Sequence, residues 1–200
     1  MTTAIYLAHL NPLTNSHVNI IKKLQKKADS VTIMPVIFRK RGVEVNSKSF
    51  PFSFESRSAM IKAVFENSVN ISDRYTFNAP FVKYLPPLIS VASWMLRQKI
   101  VAGYGKDYFT YTGDKNEWRM LKSYCMQPMV GEREPISATS VKEAIYSGKD
   151  WKSDVSEKIV PIIEENAKII KQFSTDIDKT TRVGGMKFPK DGFWCSCKNR

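Results

Sequence analysis

Short apolar runs alternate along the chain with longer stretches whose apolar residues recur at helical spacing, and that alternation leaves few folds open. Thr3–His9 is the first such run, with Ile5 and Tyr6, and reads as a strand. Asn11-Pro12 breaks it, and Asn15 or Ser16 can cap a helix from about His17 to Ala28. Ile20, Ile21, Leu24 and Ala28 share one face of that helix, while Lys22, Lys23, Lys26 and Lys27 lie elsewhere. Val31–Val36 reads as a second buried strand, followed by a basic loop, Arg39-Lys40-Arg41. Ser53 caps a helix carrying Met60, Ile61, Val64 and Phe65, and Tyr75–Asn78 is a weaker strand. Pro86-Pro87 opens a helix ending near Arg97, in which Trp94 and Met95 fit a core better than a base-stacking platform. Lys99–Gly103 reads as a strand before a Gly-rich turn, Trp118–Leu121 as helix and Met126–Val130 as strand. Ser140–Ser147 is a helix stopped by Gly148, and Pro161 starts another through Phe173, with Ile162, Ile163, Ile169 and Ile170 inward.

Strands alternating with helices imply βαβ units and a parallel sheet covered on both faces. Right-handed crossovers wind such units into an α/β, Rossmann-like three-layer sandwich, here of about five strands. Ligands of such sheets bind beyond the carboxyl ends of the strands, at the switch point. The loop of residues 9–17 leaves the first strand and is the first candidate. The division that follows is a domain over residues 1–173 and a basic C-terminal tail over 174–200. In that tail, turn residues and scattered charge show no period, so it reads as an extended arm that docks on the body or a partner, or stays mobile.

Composition narrows the function classes. The 200 residues carry 31 Lys and Arg against 19 Asp and Glu, a net charge of +12, which calls for an anionic partner: nucleotide, phosphorylated metabolite, nucleic acid or membrane surface. Three cysteines, Cys125, Cys195 and Cys197, do not make a disulfide framework. Two histidines do not make a zinc site without them. No apolar run approaches the roughly 20 residues that span a bilayer. The opening MTTAIYLAHL lacks a basic n-region, so no signal peptide is expected.

Three segments carry the chemistry. Ala8-His9-Leu10-Asn11-Pro12-Leu13-Thr14-Asn15-Ser16-His17 resembles the stretch joining strand one to helix one in nucleotidyltransferases with a HIGH motif. Ile136-Ser137-Ala138-Thr139-Ser140-Val141-Lys142 resembles that family's Ile-Ser-x-Thr-x-x-Arg motif, and Pro51-Phe52-Ser53-Phe54-Glu55-Ser56-Arg57 with Met60-Ile61 resembles the stretch after its second strand. Each pattern alone is common, but three in the right order on the right elements are specific. The resemblance spans Thr3 to Phe173.

The resemblance implies transfer of a nucleoside monophosphate from a triphosphate, with pyrophosphate released. Catalysis of that kind is positioning and electrostatic stabilisation, and a helix N-terminus supplies both N–H donors and a positive dipole end. His17, Thr14 and Lys142 are the expected catalytic residues. His17 would donate to the α-phosphate, Thr14 to a phosphate oxygen, and Lys142 would put charge on the pyrophosphate. His9, Leu10, Asn11, Ser137 and Thr139 are the expected nucleotide contacts, with Ser137 and Thr139 also suited to capping a helix. Arg39, Lys40 and Arg133 are candidates for the acceptor's phosphate, whereas Arg57 fits a structural ion pair. Mg2+ would bridge the phosphates, without a metal cage made of protein. The chain departs from the family pattern at Ala8 and Ser16, usually Gly, and at Lys142, usually Arg, where the bidentate fork is lost but the charge kept.

Asn11-Pro12-Leu13-Thr14-Asn15-x-His17 looks most like nicotinamide mononucleotide adenylyltransferases. The Arg133–Lys142 stretch also resembles cytidylyltransferases acting on alcohol phosphates, and pantetheine-phosphate adenylyltransferases share the frame but usually have His at the Thr14 position. A nucleic-acid-binding protein on this scaffold is the reading from a different class, supported by the charge and by Phe193-Trp194 in the tail. The expected protein is an adenylyltransferase of nicotinamide or nicotinate mononucleotide, cytoplasmic and homo-oligomeric.

Overall fold

The computed structural model describes residues 1–80, 90–113, 115–131, 135–177, 179–183 and 186–190. Five strands, β1 (Thr3–Ala8), β2 (Ser30–Pro35), β5 (Asn70–Ile71), β7 (Tyr108–Thr112) and β8 (Pro128–Val130), form one sheet in the order β5-β2-β1-β7-β8, with every pair parallel. Chain order runs outward from β1 to β5 and then crosses back to β7, so the switch point lies between β1 and β7, as in Rossmann-like folds. Period-two alternation along β1 divides the core. Ala4 and Tyr6 face a cluster built on α1 (Asn15–Gln25) and α2 (Phe54–Phe65), while Ile5 and Leu7 face one built on Leu96, Ile100, Leu121 and Tyr124.

A second sheet takes the strand expected at Tyr75–Asn78. β3 (Ile37–Lys40) pairs antiparallel with β4 (Val43–Glu44) and parallel with β6 (Thr76–Asn78). Arg39 and Lys40, expected in a loop, therefore stand on a strand. The stretch Lys99–Gly103 is not a strand: α3 (Val91–Val101) extends into it as far as Val101, because Ile100 and Leu96, one turn apart, both seat in the core. Gly103 and Gly105, at φ of 86° and 63°, end the turn that follows. The strand comes later, at the aromatic and threonine-rich Tyr108–Thr112. On α3, Trp94 and Met95 are 41% and 65% exposed and form no part of the core.

The remaining helices are α4 (Lys115–Ser123), α5 (Ala138–Ser147), α6 (Val160–Glu165) and α7 (Ala167–Gln172). Gly148 stops α5 in a left-handed C-cap, as the sequence implies. The helix expected from Pro161 to Phe173 breaks at Asn166, and of its isoleucines Ile163 and Ile170 are buried while Ile169 is half exposed. Past Ser174 the chain forms a hairpin of β9 (Thr180–Val183) and β10 (Met186–Pro189), seated by Phe188 against Phe38 and Phe77 at ring-centroid distances of 5.4 and 5.0 Å. The Pro86-Pro87 opening, Arg133, Cys195, Cys197 and Phe193-Trp194 lie outside the described residues.

Candidate active site

A cleft of about 340 Å³ opens where β1 and β7 end, bounded by Ala8 and His9 on one side and Thr112 and Gly113 on the other. His17 from α1, Ser137 at the cap of α5, Thr139 and Lys142 on it, and Arg182 and Lys187 from the hairpin also line it. Segments more than 100 residues apart thus meet at the switch point.

The first loop is built around Thr14. It caps α1: its hydroxyl accepts from the His17 backbone N–H, and its own N–H donates to His17 Nδ1 at 3.1 Å. Expected caps Asn15 and Ser16 are already helical. A backbone N–H can only donate, so Nδ1 is the acceptor and the ring proton sits on Nε2. The Thr14 hydroxyl lies 2.9 Å from the same Nδ1. Burial lowers the His17 pKa to about 4, leaving a neutral imidazole whose single N–H is on Nε2. Thr14 itself is fully buried and does not line the cleft, so its hydroxyl positions His17 where a direct contact with phosphate was expected.

His9 stacks on Phe50 at 5.0 Å and 25°. Neither ring nitrogen has a hydrogen-bond partner among the described residues, and burial with nearby Lys142 lowers its pKa to about 3. Beneath it, the buried Arg57 guanidinium donates to the carbonyls of His9 (2.8 Å) and Val36 (2.7 Å) and pairs with Glu44 at 3.0 Å. Arg57 thereby ties the ends of β1 and β2 together, the structural role its sequence context suggests. Desolvation brings its pKa down to about 10, with Glu44 acting against that shift.

Asn11 lines the cleft, but its amide is held by the backbone of Phe52: Nδ2 donates to the Phe52 carbonyl (2.9 Å) and Oδ1 accepts its N–H (3.1 Å). Leu10 is fully buried, with φ of 49°. Its side chain packs in the core and does not face the cleft.

The second motif stands opposite. Ser137 caps α5 by accepting the Ser140 N–H at 3.0 Å, and Thr139 borders the cleft in the first turn. Ser16, where the family pattern has Gly, accepts the Ile136 N–H at 3.1 Å and so clips the two motifs together. Lys142, buried on α5, donates to the Ser49 carbonyl and lies 6.0 Å from the Phe50 ring. Arg39 and Lys40 do not line the cleft. Contributors that the motifs do not announce are Ser49, Phe50, Thr112 and Glu117, the last accepting from the Thr112 hydroxyl at 2.5 Å, together with Arg182 and Lys187.

No family model matches the chain. It is 35% identical over 175 residues to the phosphopantetheine adenylyltransferase of Clostridium botulinum, covering 82% of this chain and 94% of that one. The chain belongs to the HIGH-motif nucleotidyltransferases. Within that family it is an adenylyltransferase: the nicotinamide-nucleotide adenylyltransferase of Methanococcus maripaludis is also similar, 26% identical over 179 residues and covering 81% and 88% of the two chains. The fold agrees with that of a bifunctional NMN adenylyltransferase/ADP-ribose pyrophosphatase from Francisella tularensis, at a TM-score of 0.65 and 14% identity over 86% of this chain. This chain spans 52% of that structure's length. A complex of the Francisella enzyme holds AMP and a manganese ion, matching at a TM-score of 0.60 with 14% identity over 86% of this chain and 52% of that one.

Proposed function

We propose that this adenylyltransferase moves AMP from ATP onto the phosphate of nicotinamide or nicotinate mononucleotide. The observation that carries the mechanism is the neutral His17, clamped by Thr14 at Nδ1 and so left with one N–H, on Nε2, at the cleft. An acceptor phosphate oxygen attacks the α-phosphorus in line; the new P–O bond forms as the bond to the β-phosphate oxygen breaks, and pyrophosphate carries away the electron pair. His17 Nε2–H donates to an α-phosphate oxygen as charge gathers there, while the α5 N-terminus with Ser137 and Thr139, and Lys142, hold the leaving phosphates.

Among the described residues no group of His, Cys, Asp and Glu could hold a metal ion. The described residues lining the cleft include Lys142, Arg182 and Lys187 and a carboxylate, Glu117, that accepts from the Thr112 hydroxyl, a set that suits phosphate oxygens. Mg2+ would arrive with the triphosphate and would neutralise phosphate charge beside Lys142 and Lys187.

Asn11 to Asn15 supports the mononucleotide acceptor, Thr14 standing where phosphopantetheine enzymes usually have His. Phosphopantetheine is the second reading, favoured by the 35% identity to the Clostridium enzyme. Residues 1–173 form the catalytic domain in this reading and 174–200 its C-terminal arm. The enzyme works in the cytoplasm as a homo-oligomer; exposed Val91, Trp94 and Met95, grouped on one side of α3, support a subunit contact. Among the described residues no helix is long and apolar enough to cross a membrane.

The test is pyrophosphate release with Mg2+ for ATP and CTP against nicotinamide mononucleotide, nicotinate mononucleotide, phosphopantetheine and glycerol 3-phosphate. Turnover is expected with ATP and a pyridine mononucleotide, falling about 10²–10³-fold in His17→Ala. Turnover with phosphopantetheine alone would overturn the acceptor, and full turnover in His17→Ala would overturn the mechanism.

A further inference from the structure

We propose that the β9–β10 hairpin is a wall of the phosphate site, with Lys187 acting beside Lys142 as a two-cation cradle for a polyphosphate and Arg182 at its rim. The proposal rests on the adenylyl-transfer reading for the identity of the polyphosphate, the triphosphate of the nucleotide, and on geometry for the site itself.

Two ammonium groups from distant parts of the chain converge on one buried residue. Lys142 Nζ donates to the Ser49 carbonyl, and Lys187 Nζ donates to the Ser49 hydroxyl. Both lysines line the cleft. Two ammonium groups brought to one serine at the wall of a cleft present a concentrated positive charge to any anion entering it, and that attraction strengthens as the surroundings become drier. Lys142 sits on α5 behind Ser137 and Thr139, so an anion shared by both lysines lies on the pyrophosphate side of the cleft.

The hairpin's register explains why Arg182 joins them. Lys187 is paired directly opposite Arg182, so both side chains leave the same face of the ribbon, and both line the cleft. A polyanion in the cleft therefore meets both charges from the same side of the ribbon. Phe188, next along β10, points the other way and seats in the core, anchoring the ribbon with Lys187 toward the cleft. The arm is thus bolted to the body by one residue and delivers charge through its neighbour. Lys190, just beyond, is exposed and lies outside the cleft lining.

Calorimetric titration with inorganic tripolyphosphate tests the site without reference to the reaction. Lys187→Gln is expected to weaken binding about tenfold, the worth of one charge-assisted hydrogen bond. Lys187→Arg should restore much of it, and Lys190→Gln, which removes the same charge outside the cleft, should match wild type. Arg182→Gln, at an exposed position, should weaken binding by less; it keeps the test intact if Lys187→Gln melts early. Equal weakening by Lys187→Gln and Lys190→Gln would overturn the proposal, since only long-range charge would then be at work. So would unchanged binding in both Lys187→Gln and Arg182→Gln. In the kinetic assay, Lys187→Gln should raise the KM for ATP more than that for the acceptor. An unchanged KM for ATP in an active enzyme would sink the cradle and leave adenylyl transfer standing. Weakened tripolyphosphate binding in a protein that turns over no base–acceptor pair would do the reverse.

Discussion

Residue by residue, the site works by restricting what each side chain can do. The Thr14 N–H and hydroxyl both meet His17 Nδ1, which selects one tautomer and one ring orientation. Thr14→Val keeps the N–H but removes the hydroxyl. Turnover should fall about tenfold, the net worth of one such hydrogen bond, with little change in either KM. Thr14→Ser should restore it. A rise in the KM for ATP with turnover unchanged would instead mean that Thr14 touches the nucleotide directly. The expectation that His17 donates to the α-phosphate follows from motif position; which nitrogen holds the proton depends on a hydrogen bond that only the folded loop makes.

At the scale of elements, the cleft depends on two helix starts held at a fixed separation. Ser16 is the link: it accepts the Ile136 N–H across 120 residues of chain. Its replacement of the usual Gly looks like a weakness in the sequence and is a strut in the structure. Ser16→Gly should cost about 1–2 kcal/mol of stability by leaving that N–H without its acceptor. It should also raise the KM for the triphosphate, because Ser137 and Thr139 follow Ile136 directly. Chemical denaturation and steady-state kinetics check the two effects; unchanged values in both would show that the clip is dispensable. The hairpin stands where an extended arm is expected from the sequence. Thr180–Val183 and Met186–Pro189 flank Gly184-Gly185, a hairpin signal in its own right. Its strands are short and mix Thr, Arg and Lys with few apolar residues, so periodicity is silent there.

For the whole molecule, charge and burial set the response to pH. Burial, with the neighbouring cations in the case of His9, depresses both histidines, to about 3 for His9 and about 4 for His17, against 6.5 in the unfolded chain. Between about pH 4 and 6.5 the unfolded state therefore binds more protons than the native state, and stability rises with pH through that window. The slope is up to about 1.4 kcal/mol per pH unit for each histidine, and it vanishes above about pH 6.5. Urea midpoints at pH 5.0, 6.0 and 7.5 check this: the histidine contribution should be fully present at 7.5 and shrink toward 5.0. A midpoint independent of pH over that range would mean that the imidazoles titrate normally and that His17 is not a neutral donor.

Hydrophobic period and motif order were enough to determine the layered parallel sheet, the loop that carries His17 and the helix that opens at Ser137, because each is encoded by neighbours within a few turns of chain. The sequence context of Arg57 suggests structure or an ion pair, and the fold supplies what it holds: Glu44 and the carbonyls of His9 and Val36. Tertiary structure decided the rest. Ile100-Val101 has the composition of a strand but lies in a helix, because Leu96 and Ile100 gain more from one buried face than from a ladder. Arg39 and Lys40 lie in the sequence where a phosphate clamp would be, yet pairing with β4 and β6 holds their strand outside the cleft lining. Lys187 lies in a segment where hydrophobic period is silent and ends beside Lys142, because Phe188 needed a core and β-strands send neighbours to opposite faces. Such placements depend on free energies shared among residues far apart in sequence, and no local window contains them.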